Sequence, residues 1–438
     1  MKIALIGNMN NNNFSIMRYF RDLGADAHLL LYKGDGANSL SHFKPENDTW
    51  DIDQWSSFIH QTDIINGPGS IFGNPERVIW PYQPLCYSKY FIKTLLNRHD
   101  RSILPPSKKH LKAIFDGFDV YIGSGLSPAI LNRIGLSLDI FYPYETGIEF
   151  LGSPSLSVQI SSGSHLIRSI FKQVAQAQKN GIRRARYCLN AEMSFTKQAF
   201  EKIGVKFLPF AVPMVYNRDL SCEEHLSEEL LKLKEKLQKY EFTVVSHARL
   251  MWINPGNYTD VQWEQNSKHN DWLIKSFAEF SRERPKIKSL LLLFEYGSDI
   301  EHSKKLCFDL GINHMVKWLP MYSRREIMQI ISCCKVGVGE FHTNEDVIWG
   351  GTGWEVLASG KPLLQSFRFK DGAFESTFGY PAPPMLPVVG PNCIFKHLID
   401  MADHPEKGVA IGKEAAKWFN QYNGIGLAKK WLELILNP

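Results

Sequence analysis

The sequence predicts an α/β protein made of two successive parallel-sheet units with a cleft between them. Three observations predict it. Short apolar runs, such as residues 2–7, 242–246 and 288–294, have the near-continuous hydrophobicity of strands buried on both faces. Segments with helical spacing alternate with these runs, as parallel strands require. A stretch crowded with Glu and Lys around 217–240 separates two such series. Composition agrees: 438 residues, 44% hydrophobic and 22% charged, exclude disorder, collagen and coiled coil, and leave each half long enough for its own core.

In the first series, residues 2–7 read as a strand that enters the asparagine run 8–13. A helix follows with apolar positions at Phe14, Met17, Phe20 and Leu23, closed by Gly24. Residues 28–32 are the next strand. The stretch 33–98 is rich in Trp, Asn, Pro and Gly and predicts irregular structure with short helices. Strands are expected at 118–123, 139–144 and 187–190, and helices at 166–185 and 194–203. The charged segment predicts a solvated helix with i,i+4 pairs at a domain junction. In the second series, strands are expected at 242–246, 288–294, 316–319, 336–338 and 362–365. Helices are expected at 271–282, 303–310, 324–332 and 354–359, with a final helical stretch 412–436 broken near Asn423-Gly424.

The net charge of +5 is too small to imply nucleic acid by itself. The seven cysteines are odd in number and include no C-x-x-C, so neither a disulfide framework nor a zinc site is encoded, and a reducing compartment is expected. The first residues do not read as a signal peptide, and no apolar run approaches the roughly 20 residues of a membrane span. The expected location is the cytoplasm.

Ligands of such sheets bind beyond the carboxyl ends of the strands, so the loops there carry the candidate chemistry. After the first strand, Gly7 and Asn8 open a loop that lacks G-x-G-x-x-G. It is either a polar turn capping the helix or a ligand contact. After 242–246 stand His247 and Arg249, and Lys268 directly precedes a helix. Two cations at a strand end and a helix start suit a pyrophosphate, although each can equally be a surface cation. Residues 349–355 read Trp-Gly-Gly-Thr-Gly-Trp-Glu, a glycine-rich loop opening a helix. The amides of Gly351, Thr352 and Gly353 can therefore face phosphate. Glu355 is expected in that helix's first turn, either as a simple helix-end acid or accepting hydrogen bonds from two sugar hydroxyls.

Residues of about 242–436 resemble the nucleotide-sugar half of the retaining family 4 glycosyltransferases of GT-B type. His247-Ala248-Arg249-Leu250 stands where that family has Gly-Arg-Leu, and Lys268 where it has the lysine of Glu-Lys-Gly. Phe294-Glu295-Tyr296-Gly297 stands at its Gly-x-Gly turn, and Val316-Lys317-Trp318-Leu319-Pro320 matches its Val-x-Phe-Leu-Gly strand. Glu355-Val356-Leu357-Ala358-Ser359-Gly360-Lys361-Pro362 matches Glu-Ala-Met-Ala-x-Gly-x-Pro. The resemblance implies two Rossmann-like domains facing each other across a cleft. The acceptor domain would span 1–215, the charged linker 216–241 and the nucleotide-sugar domain 242–417. The last helix, about 418–438, would pack back on the first domain. It also implies transfer of a sugar from a nucleoside-diphosphate sugar with retention. Arg249 and Lys268 would neutralise the diphosphate and Glu355 would hold the ribose. The base would lie near Met321 or Tyr322. Gly297 would border the donor, and His247 either faces the cleft or is a structural histidine. The nucleotide sugar is a co-substrate. No metal and no other cofactor is implied, and D-x-D is absent.

Two positions depart from the family pattern. Its second glutamate would fall at Val347, so Glu345, Asp346 or Glu340 is expected to replace it at the donor sugar. Its first-domain histidine would fall near Tyr144 or Glu145, with Ser124 and Ser127 lining the same cleft. The acceptor is expected to be a surface glycan, lipid-linked if the basic amphipathic stretch 164–186 lies on the inner face of an anionic membrane. The alternative for that stretch is a core-packed helix with a basic outer face. Nucleic acid is disfavoured as a partner, because no binding motif accompanies the charge. A non-catalytic GT-B-fold binding protein and a sugar-nucleotide epimerase are the competing functional expectations.

Overall fold

The computed structural model describes residues 1–32, 44–62, 64, 107–143, 148, 165–190, 194–211, 215–218, 220, 226–256, 258–260, 263–264, 267–343 and 350–437. Among them, the first sheet has seven strands: β1 (Lys2–Ile6), β2 (Asp26–Tyr32), β3 (Ile59–Thr62), β4 (Val120–Gly123), β5 (Ile140–Phe141), β6 (Tyr187–Asn190) and β7 (Leu208–Pro209). Their order is β3-β2-β1-β4-β5-β6-β7. The second has six: β8 (Phe242–Ser246), β9 (Ser289–Phe294), β10 (Val316–Leu319), β11 (Val336–Val338), β12 (Leu363–Ser366) and β13 (Leu386–Val388), in the order β10-β9-β8-β11-β12-β13. Every pairing is parallel.

Strand order reverses between β1 and β4 in the first sheet and between β8 and β11 in the second. Chains diverge at such points and leave a crevice at the strands' carboxyl ends. Gly7 and Ser124 stand at the first crevice, and His247 and Glu340 at the second. The central strands β1, β8 and β9 are buried along nearly their whole length, which accounts for their unbroken apolar sequence.

The charged junction contains the helix Glu228–Leu237. Ser227 caps its start, and Leu230, Leu233 and Leu237 are buried, so only one side is solvated. The chain then ends by returning to the first sheet. The helix Ile425–Leu436 lies on the helix Asn12–Asp22. Its Trp431 is fully buried with its ring 5.5 Å from that of Tyr142, and Arg186 donates to the Ile435 carbonyl at 3.4 Å.

The basic helix His165–Arg184 ends in two arginines with local partners. Arg183 donates to the Ile203 carbonyl at 3.0 Å and Arg184 to the Gly135 carbonyl at 3.1 Å. Each serves the C-terminal end of a neighbouring helix, where cations are favoured. Gly181 lets this helix reach the helix Ser127–Ile134, because a Cβ there would stand 2.1 Å from the Pro128 carbonyl oxygen. The side chains of 164–171, which carry much of the amphipathic pattern, lie outside the described residues. No described helix is long and apolar enough to cross a membrane.

Candidate donor site at the second crevice

The segment after β8 is held by backbone bonds on both sides. Leu250 donates to the Tyr296 carbonyl at 2.8 Å, and its own carbonyl accepts from Asp299 at 3.2 Å. This close approach requires Gly297, whose φ is +125° and whose Cβ would lie 2.2 Å from the Leu250 oxygen. Gly297 therefore shapes the loop through its backbone. On the other side, Lys268 donates its amide to the Met251 carbonyl at 2.8 Å, and Met251 donates to the Asn270 side chain at 2.9 Å. Arg249 and Lys268 are thereby carried on adjoining strands of chain at the end of β8.

The two cations differ in environment. Arg249 is exposed between buried Ala248 and Leu250, with no hydrogen bond or ion pair to the described residues. Lys268 is mostly buried and pairs with Glu340, Nζ to Oε2 at 2.8 Å. His342 approaches the same oxygen at 3.3 Å. Burial alone would raise the Glu340 carboxyl, but His342 and Lys268 outweigh it and hold the group at about 2. Next to Lys268, His269 has φ +44°, a left-handed conformation that costs a non-glycine residue about 1–3 kcal/mol. Its ring stacks on Trp272 at 4.3 Å and its Nε2 meets the Glu264 carbonyl at 3.1 Å, which fixes the turn beside Lys268.

The glycine-rich segment starts the helix Gly351–Ala358, with Gly350 as a cap that offers no side chain. Gly350 is needed for its size: a Cβ would approach both Glu340 carboxylate oxygens to 3.1 Å. The amides of Gly351, Thr352 and Gly353 form the first turn, and the Thr352 hydroxyl is buried with no partner among the described residues.

Because this helix begins at Gly351, Glu355 falls beyond its first turn, which corrects the expectation that the helix dipole places it. Ion pairs place it instead. One carboxylate oxygen meets His247 Nε2, and the other accepts from Arg324 Nε at 2.8 Å. Burial works against the charged form, yet His247 and Arg324 hold the carboxyl at about 2. With one partner on each oxygen, the carboxylate retains acceptor capacity for further donors. His247 is buried and its Nδ1 has no partner among the described residues. The rings of His247, Phe294 and Tyr322 follow one another at 6.1 Å and 6.3 Å across the ends of β8, β9 and β10. Met321, beside Tyr322, is half exposed.

At the first crevice, Gly7 has φ +79°, and a Cβ there would crowd the Tyr32 ring at 3.3 Å. Asn8 is buried and its amide is engaged within the loop, donating to Asn11 Oδ1 at 2.6 Å and accepting from the Phe14 amide at 3.0 Å. That is the arrangement of a polar turn capping the helix. The other expected site residues, Tyr144, Glu145, Glu345, Asp346 and Val347, lie outside the described residues. Among the described residues no cluster of acidic, histidine and cysteine side chains is arranged to hold a metal ion.

Arg324 has no counterpart among the sequence-derived candidates. Its signal was Arg324-Arg325 directly after the helix-capping Ser323. Two cations at a helix N-terminus oppose the macrodipole, so each needs a carboxylate to answer it.

No protein-family model matches the sequence, and no curated protein sequence matches it. Solved structures do match in shape. Anabaena HepE in complex with UDP aligns over 100% of both chains with a TM-score of 0.58 at 13% identity. The chain has the GT-B fold. A glycosyltransferase from Rickettsia africae ESF-5 aligns over 100% of this chain and 99% of its own, with a TM-score of 0.52 at 12% identity. UDP-GlcNAc 2-epimerase from Neisseria meningitidis, bound to UDP-GlcNAc, aligns over 100% of both chains with a TM-score of 0.54 at 12% identity.

Proposed function

We propose that this protein is a retaining glycosyltransferase of family 4 type, moving a sugar from a nucleoside-diphosphate sugar to a glycan acceptor. The observation that carries the reading is the meeting at the β8/β11 crevice of the segment after β8 with the start of the helix Gly351–Ala358: Lys268 pairs with Glu340, which lies against Gly350, and His247 pairs with the buried Glu355. Exposed Arg249 and the first-turn amides suit a diphosphate, and Glu355 suits the vicinal hydroxyls of ribose. The nucleoside-diphosphate complexes of HepE, on the same fold, support the donor class.

In the reaction, the bond between the anomeric carbon and the β-phosphate oxygen breaks. Its electron pair leaves with the nucleoside diphosphate. The acceptor hydroxyl oxygen bonds to the same face of that carbon, and its proton passes to the departing phosphate. Negative charge grows on that phosphate, where Arg249, Lys268 and the amides stabilise it. Lys268 reaches it by sharing or leaving Glu340, and Glu340 is then placed to meet hydroxyls of the donor sugar. No divalent metal is required, because the side-chain cations take its place. The reading extends to a lipid-linked acceptor if the basic helix, whose Lys172 is exposed, meets an anionic inner-membrane face.

A thermal-shift series with UDP, GDP, ADP, CMP and TDP tests the donor site, since a ligand of the folded state raises apparent stability. A rise with one diphosphate that disappears in Arg249→Ala is the expected result. No response to any of the five removes the reading. The epimerase neighbour supports a second reading, in which the nucleotide and a free epimerised sugar are released without an acceptor. Product analysis with the donor alone separates the two.

A further inference from the structure

The N-terminal end of the helix Arg324–Ser332, in the second domain, is plugged into residues 48–51 of the first. Asp48 is 3% exposed and both its oxygens are occupied. One accepts from Arg324 Nη1 at 2.9 Å, and the other from Arg18, itself 1% exposed. The Asp48 carbonyl accepts the Arg325 amide at 2.9 Å. Arg325 also pairs with Asp51 and lies 4.6 Å over the Trp50 ring. Arg324 Nη1 donates in addition to the Asn10 carbonyl, at 3.0 Å, in the loop after β1.

One guanidinium thus spans the cleft. Its Nε holds Glu355, and its Nη1 holds Asp48 and Asn10. A guanidinium is planar and rigid, so fixing one edge on the first domain fixes the direction in which the other edge meets Glu355. Without Asp48, the charged anchor that the Arg324 fork keeps among the described residues is Glu355 itself, so the direction in which the fork meets that carboxylate is less firmly set. Simple glue between domains would not need to pass through the carboxylate at the donor crevice, and here it does.

We propose that Arg324 is a positioning residue: it holds Glu355 in its ribose-binding orientation only while Asp48 of the first domain holds Arg324, so that ribose recognition by the second domain is completed by the first. The proposal rests on the donor-site reading above and adds a dependence on residues outside the donor domain.

The test compares UDP, GDP and ADP with their 2′,3′-dideoxy counterparts by titration calorimetry, in the parent protein, Asp48→Asn and Arg324→Lys. The lysine variant keeps the charge at a partly accessible position, and so remains informative if the buried Asp48 substitution prevents folding. Loss of a charged hydrogen bond predicts that each variant weakens the preferred ribonucleotide about tenfold. The dideoxy analogue should bind all three proteins alike, so that preference for ribose collapses. Equal weakening of both ligands, or an unchanged ribose preference, overturns the proposal while leaving the donor site standing. A parent protein that responds to none of UDP, GDP, ADP, CMP and TDP overturns the donor-site reading and the proposal together.

Discussion

Arg249 and Lys268 carry the same formal charge but should respond differently to removal. Arg249 is exposed and makes no contact with the described residues that stability depends on. Arg249→Ala is expected to change folding free energy by no more than about 0.5 kcal/mol, yet to weaken diphosphate binding at least about tenfold. Lys268→Ala leaves the buried Glu340 carboxylate without its lysine and should cost about 1–3 kcal/mol as well as activity. Urea denaturation beside calorimetric titration distinguishes the two patterns. Acid stability follows from the carboxylates. Glu340 and Glu355 are held at about 2 in the folded chain, below the ordinary 4.5. The folded state therefore binds fewer protons than the unfolded one over that window. The stabilisation is fully present above about pH 4.5 and is lost as pH falls towards 2. Glu340→Gln should flatten this acid limb in a pH series of thermal melts; an unaltered slope would count against the ion pairs. The cations, the glycine segment and Glu355 stood out in the sequence as candidates because each lies in a short local motif. Arg324 was not, since its partner Asp48 stands 276 residues away.

Strands were legible where burial on both faces leaves an unbroken apolar run. β8 and β11 are buried throughout and have the bounds that their residues predict; β6 and the partly buried edge strand β10, Val-Lys-Trp-Leu, have theirs without such a run. The strands that escaped notice belong to the outer parts of the sheets. β3 reads Ile-His-Gln-Thr, β7 has two residues, and β13 contains Pro387. Proline and polar residues are tolerated at sheet edges, where one side of the ladder has no partner. The helix Arg324–Ser332 shows what a local motif does for long-range contact. Ser323 and Glu326 form a reciprocal capping box at its start, with the Ser323 amide donating to Glu326 at 2.9 Å. Ser323→Ala should cost about 1 kcal/mol in denaturant unfolding, because the first-turn amide then loses its acceptor. Recovery of that loss in Ser323→Asp, which restores an acceptor, would locate the effect in the cap.

At the scale of the molecule, the Arg324–Asp48 bridge and the returning helix Ile425–Leu436 are among the connections that join the two units. Trp431 is the large buried side chain of that helix. Trp431→Ala should destabilise by about 3–5 kcal/mol, the range for truncating a buried large aromatic, measurable as a lower urea midpoint. The two-unit plan was readable from the repeated strand–helix alternation and the charged stretch between. How the units are clasped was not, because periodicity records which face of an element is buried and not what covers it. The return of the final helix has a consequence for biogenesis. A nascent chain that has completed its amino-terminal sheet still presents the bare seat around Tyr142 to its surroundings. That seat is sealed only after the second sheet has followed the first off the ribosome, so the amino-terminal one of these two domains is completed by a segment made after the other, and a chaperone has the interval in between.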